Sequence, residues 1–102
     1  MAQYRFCLAL LLMGLSVLAH GATCTWLGGS GNWSNSANWG GGVVPGPGDT
    51  AIINSGTITL DLTTGVALLL FNDGIISGAN TLTISDSLSW LDGSLSSGLE
   101  LV

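Results

Sequence analysis

The chain has 102 residues, room for at most one small domain. Only 7% of them are charged, 47% are hydrophobic and 16 are glycine, which excludes a disordered polyelectrolyte and points to ordered short strands joined by many turns. One basic side chain against six acidic ones leaves no counter-charge for DNA, RNA or an anionic membrane surface, so these are excluded as partners.

Residues 1–21 read as a secretory signal peptide, expected as a helix. Arg5 supplies the positive start, Cys7 to Ala19 the apolar stretch, and Ala19-His20-Gly21 small residues at the cleavage positions. Cleavage is expected after Gly21, with Ala22 as second choice. The apolar stretch is shorter than the roughly 20 residues that span a bilayer, so no stable membrane insertion is expected once the signal is removed. Arg5 and His20 leave with it, and the mature chain then carries six acids and no Lys, Arg or His. Cys7 leaves too. Cys24 becomes the single cysteine of the mature chain, expected as a small apolar residue in an early strand rather than as a lipidation site or part of a disulfide framework.

Residues 22–49 are rich in Trp and Gly. Thr23 to Leu27 alternates polar and apolar and predicts a short strand, which Gly28-Gly29-Ser30-Gly31 breaks. Trp33 and Trp39 sit in short aromatic-centred pieces. Pro45-Gly46-Pro47-Gly48 excludes helix and central strand and predicts an exposed turn or connector.

From residue 50 the text is strand-like. Thr50 to Asn54 predicts a strand. Thr57 to Leu62 alternates strictly, placing Ile58, Leu60 and Leu62 on one face. Val66 to Phe71 predicts a buried strand, and Thr81 to Ser85 and Ser87 to Trp90 alternate again. Shifting the chain on itself by 19 residues superposes Leu69 on Leu88, Phe71 on Trp90, Asp73-Gly74 on Asp92-Gly93, Ile76 on Leu95 and Leu82 on Leu101. A period near 20 residues of short strands and Gly turns is the mark of a parallel β-solenoid. The expected organisation is therefore a signal peptide (1–21), a Trp/Gly-rich cap (22–49) and the first rungs of a solenoid (50–102). Because natural solenoids end in a polar cap, and the mostly apolar Leu99-Glu100-Leu101-Val102 forms none, the chain is expected to be a truncated, N-terminal piece of a longer protein.

Trp26, Gly28, Gly29, Gly31, Trp33, Asn38, Trp39, Pro45, Gly48, Asp49, Ala51 and Ile53 follow a W-x-G-G-x-G-x-W, N-W, P-x-x-G-D-x-A-x-I pattern. This resembles the N-terminal segment of bacterial autotransporter-like and adhesin-type secreted proteins with autotransporter-associated β-strand repeats. The resemblance implies a right-handed parallel β-helix on the outside of a bacterium.

Chemistry finds little to work with. Without His, Lys, Arg or a cysteine pair in the mature chain, the usual nucleophile–base systems and His- or Cys-based metal sites are not expected. The protein is read as no enzyme, with no cofactor and no metal. Asp73 and Asp92 sit in Asp-Gly turns, where the carboxylate bonds its own backbone; that outweighs both acid-pair hydrolysis of glycosides and a calcium-binding edge with Asn72. Trp26, Trp33 and Trp39 are the candidate ligand-binding residues, as a platform for sugar rings. The heavier alternative is that they cover the open first rung. Trp90 is assigned to rung core or its edge. The expected function is a non-catalytic structural or interaction module of an exported surface protein, located outside the inner membrane, with host or matrix glycans or other surface proteins as partners. The alternative is a carbohydrate-binding module, or the remnant of a β-helical polysaccharide-active enzyme.

Overall fold

The computed structural model describes residues 21–96 and 98–102. Apart from Gly21, the expected signal peptide lies outside the described residues. The fold is all-β. Among the described residues nine strands follow in order: β1 (Thr23–Thr25), β2 (Ser30–Asn32), β3 (Thr50–Ile53), β4 (Thr57–Thr59), β5 (Thr64–Phe71), β6 (Ile75–Ser77), β7 (Thr81–Trp90), β8 (Ser94–Leu95) and β9 (Glu100–Leu101). One 3-10 turn, Ser36–Asn38, lies between β2 and β3. No helix of the described residues is long and apolar enough to cross a membrane.

Odd-numbered strands form one sheet, β1-β3-β5-β7-β9, and even-numbered strands a second, β2-β4-β6-β8. Each adjacent pair is parallel. Consecutive strands thus alternate between sheets, and each sheet grows in chain order from one end to the other.

The register gives the sequence repeat its physical content. Leu69 pairs with Leu88, Phe71 with Trp90, Ile76 with Leu95 and Leu82 with Leu101, the offset of 19 seen in the sequence. One step earlier the offset is 18, as in Thr50 with Leu68 and Thr57 with Ile75. The extra residue enters at a bulge in β7. Val66 pairs with Ile84, but Leu68 pairs with Ser87, so two residues of β7 face one of β5. Asp86, the break between the two alternating runs of the sequence, sits in that bulge. There its carboxylate stays exposed while Leu82 on one side is buried.

The first step is longer, 27 positions from Thr23 to Thr50 and from Ser30 to Thr57. The surplus residues form the loop from Trp33 to Asp49, which folds over the β1 end. Its Leu27 N–H···O=C Asn38 and Gly40 N–H···O=C Thr25 bonds, with the antiparallel Trp26–Trp39 bridge, occupy the outer edge of β1. Such an edge would otherwise present free amides and carbonyls to another chain.

Side chains facing inward make one core: Cys24, Ala51 and Leu69 in one row, Ile53 and Phe71 in the next, Ile58 and Ile76 from the second sheet, with Leu60, Val66 and Leu82. Cys24 lies buried in an early strand as expected, but contrary to expectation it is disulfide-bonded. The β4 alternation holds as expected, with Ile58 and Leu60 fully buried. The proline turn differs from expectation. Pro47 and Gly48 are exposed, but Pro45 is buried, and so is Asp49 just after the turn, whose carboxylate accepts the Ala22 and Gly46 amides.

Candidate functional site

The three candidate tryptophans come together, as one buried cluster. Trp39 is the hub. Its ring meets Trp26 edge-on at 5.2 Å and Trp33 edge-on at 4.9 Å, the geometry that the ring quadrupoles favour. Its Nε1 donates to the Trp33 carbonyl at 2.8 Å, and Trp26 Nε1 donates to the Gly29 carbonyl at 2.9 Å. Trp33 Nε1 is buried and finds no acceptor. None of the rings is more than 3% exposed. A sugar-stacking platform needs an open ring face, and these rings have turned theirs to the core and to one another.

Local features set this arrangement. Asn35 caps the 3-10 turn by accepting from the Ala37 amide at 3.1 Å, and Asn38 Nδ2 reaches the Asn32 carbonyl at 3.2 Å. Gly31 leaves room for it, since a side chain there would displace Asn38 Nδ2.

Two aspartates tie the loop to the strands below, each across 27 positions. Asp61 accepts from the Ser34 amide at 3.0 Å and from its hydroxyl. The Ser34 hydroxyl, more than its amide, holds the exposed Asp61 carboxyl below the usual range, against an opposing desolvation. Asp49 is buried. Its Oδ1 accepts from the Ala22 amide at 2.9 Å and its Oδ2 from the Gly46 amide at 2.8 Å.

A second feature runs down the side of the molecule. The turns Ser55-Gly56-Thr57, Asp73-Gly74-Ile75 and Asp92-Gly93-Ser94 stack into the wall of an open groove of about 410 Å³. The stacking demands glycine. Gly74 has φ +117°, and a Cβ on it would lie 2.8 Å from the Gly56 carbonyl; Gly93 repeats this against Gly74 at 2.7 Å. Asn72 Nδ2 donates to Asn54 Oδ1 at 2.7 Å. Asp73 and Asp92 each accept the amide of the following glycine, at 2.8 and 2.7 Å. The Asp-Gly turn geometry expected from the sequence is thus present. Among the described residues no three His, Cys, Asp or Glu side chains gather in a metal-binding group.

Among the described residues the exposed aromatic is Trp90, 47% accessible. Its ring lies 5.9 Å from Phe71 at a tilt of 37°, and its strand neighbour Leu88 is 40% exposed. Both stand in core rows. Leu82, earlier on the same strand, is fully buried because β9 places Leu101 over it. No described strand covers Ser87 to Trp90 on that side.

No family model, curated protein or solved structure matches the chain.

Proposed function

We propose that this chain is the capped starting end of a right-handed parallel β-helix, serving as a non-catalytic structural and interaction module of an exported bacterial surface protein of the autotransporter- or adhesin-like kind. The observation that carries this reading is the contrast between the two ends of one side-chain row. Trp26, at the β1 end, is roofed by Trp39, while Trp90, at the β7 end, stands open. A solenoid needs a cover where its core begins and an open face where its next layer is added.

Strand order supports the same reading. Each layer runs through three extended pieces, such as Ile75–Ser77, the first part of β7 and its last part after the bulge. Inward Leu, Ile and Val stack on their counterparts one layer away. The Trp-Gly pattern behind the family resemblance is the same pattern that builds the roof. With the Trp26, Trp33 and Trp39 faces buried, partners such as glycans or other surface proteins would meet the outer surface, where the stacked-turn groove lies.

The test joins the whole chain to a C-terminal reporter enzyme that is active only outside the cytoplasm, with and without residues 22–49. The reading predicts an active, soluble reporter with the cap and an aggregated fusion without it. An inactive cytoplasmic reporter would refute export; a soluble, monomeric fusion lacking 22–49 would refute the cap.

A further inference from the structure

The last part of β7 has a described neighbour on one side only. β9 pairs with Thr81 and Leu82, and the Val102 carbonyl takes the Ile84 amide. From Ser87 to Trp90 no described strand lies on that side. Leu91 donates to Phe71 on β5, so Leu88 and Trp90 direct their N–H groups the other way, to the open edge. The surface there is apolar, since Leu88, Trp90 and Leu91 are all exposed. An exposed aspartate stands at each end of it, Asp86 in the bulge and Asp92 in the following turn. Asp92 spends one oxygen on the Gly93 amide. Unpaired edge amides beside an apolar surface are a template for another strand. The two carboxylates, about 20 Å apart in extended chain at about 3.3 Å per residue, decide which strand it is.

We infer that this edge docks an extended segment of another protein, one with alternating apolar residues between two basic side chains. The incoming strand accepts the Leu88 and Trp90 amides, lays its apolar side chains on Leu88 and the Trp90 ring, and sets Lys or Arg beside Asp86 and Asp92. Strands added to a sheet edge take their affinity from main-chain bonds and their specificity from alternate side chains. A second copy of this chain is the poorer occupant. Two β7 edges meeting antiparallel about Ser89 would set Asp86 of each copy against Asp92 of the other, and like charges directly opposite are destabilising. Head-to-tail stacking is closed as well, because the loop bonds of Leu27 and Gly40 occupy the outer edge of β1. Nor does another segment of the same chain fit, since one Arg and no Lys in the sequence cannot supply both flanks. The carboxylates thus act in two ways, repelling self-pairing and selecting a basic partner. This deepens the interaction-module reading and rests on its open end.

The test titrates the full chain with the end-blocked peptide Lys-Thr-Val-Thr-Val-Thr-Lys and with its Glu-ended counterpart, following amide exchange by NMR. The Lys-ended peptide should slow exchange at Leu88 and Trp90 roughly tenfold at saturation, as new main-chain bonds close that edge. It should bind roughly tenfold more tightly than the Glu-ended one at low salt and lose that margin as salt rises. Asp86→Asn combined with Asp92→Asn should abolish the preference between the peptides and let the chain self-associate in sedimentation. Both side chains are exposed, so the fold stays intact. Equal binding of the two peptides by the unaltered chain, or unchanged exchange at Leu88 and Trp90, would overturn the proposal. Slow exchange at both amides before any peptide is added would overturn it too: in a monomer this chain then covers its own edge, and in a dimer a second copy does. Export plays no part in these measurements, so their failure is distinct from failure of the surface-protein reading.

Discussion

Trp26 and Trp90 stand at opposite ends of one row, and each indole donates to the glycine carbonyl three positions on, Gly29 at 2.9 Å and Gly93 at 3.4 Å. Between them lie Ile53 and Phe71, paired in register. The local motif is repeated, yet one ring is 3% exposed and the other 47%. What differs is the neighbour: Trp39 covers Trp26, and no described residue takes that place over Trp90.

This difference predicts unequal mutational costs. Trp39→Ala removes the ring that contacts both other buried tryptophans, and should destabilise the fold by about 3–5 kcal/mol, the range for large aromatic truncations in cores. Trp90→Ala should cost under about 2 kcal/mol, because half the ring is already in water. Urea denaturation of both variants checks the order.

A finer comparison separates Trp33 from Trp39. Trp39→Phe removes a donor and strands the buried Trp33 carbonyl, whereas Trp33→Phe removes a buried N–H that has no acceptor. With similar volume lost, Trp33→Phe should be the milder change by roughly 1–3 kcal/mol, the cost of an unmet buried polar group. Thermal unfolding of the pair reads the difference.

The turn column predicts a positional effect for alanine. Gly74→Ala meets both a positive φ and the Gly56 carbonyl at 2.8 Å, while Gly42→Ala meets a positive φ of 75° with open space around it. Gly42→Ala should cost about 1–2 kcal/mol from the left-handed backbone alone. Gly74→Ala should cost clearly more, since strands must part to admit the methyl. Comparing the two urea midpoints checks this.

Asp61 predicts a pH effect. Its folded carboxyl titrates below the usual value, chiefly through the Ser34 hydroxyl. The stabilisation is therefore present above the unfolded pKa near 4 and is lost as pH falls through the lowered folded pKa. Ser34→Ala should move the Asp61 titration upward, as seen in carboxyl NMR shifts, and flatten the acid limb of stability. An unchanged Asp61 titration in Ser34→Ala would remove this staple from the account.

Much of the strand plan was legible because hydrophobic period and repeat spacing are properties of the chain itself. Leu69 with Leu88 and Ile76 with Leu95 needed only counting. The even-numbered sheet was mostly missed, since β2 and β8 have three and two residues and so short a strand shows no period. Ser30-Gly31 read as part of a break, and with Asn32 it is a strand because its neighbours supply the pairing. Asp49 read only as the last residue of the cap segment; its burial goes with a contact 27 positions away, which no local pattern carries. The tryptophans were legible as a unit, but not which way their faces turn: toward each other in the cap, and toward solvent only at Trp90.

Amide hydrogen exchange at Leu27 and Trp90 tests the central claim, one covered end and one open end, most directly. Leu27 donates from the outer edge of β1 to the Asn38 carbonyl. Leu91 donates back to Phe71, so its neighbour Trp90 directs its backbone N–H to the other side of β7, the open edge, as alternate residues of a parallel strand do. The account predicts slow exchange at Leu27 and fast exchange at Trp90. Equal protection at both, or rapid exchange at Leu27, would contradict it.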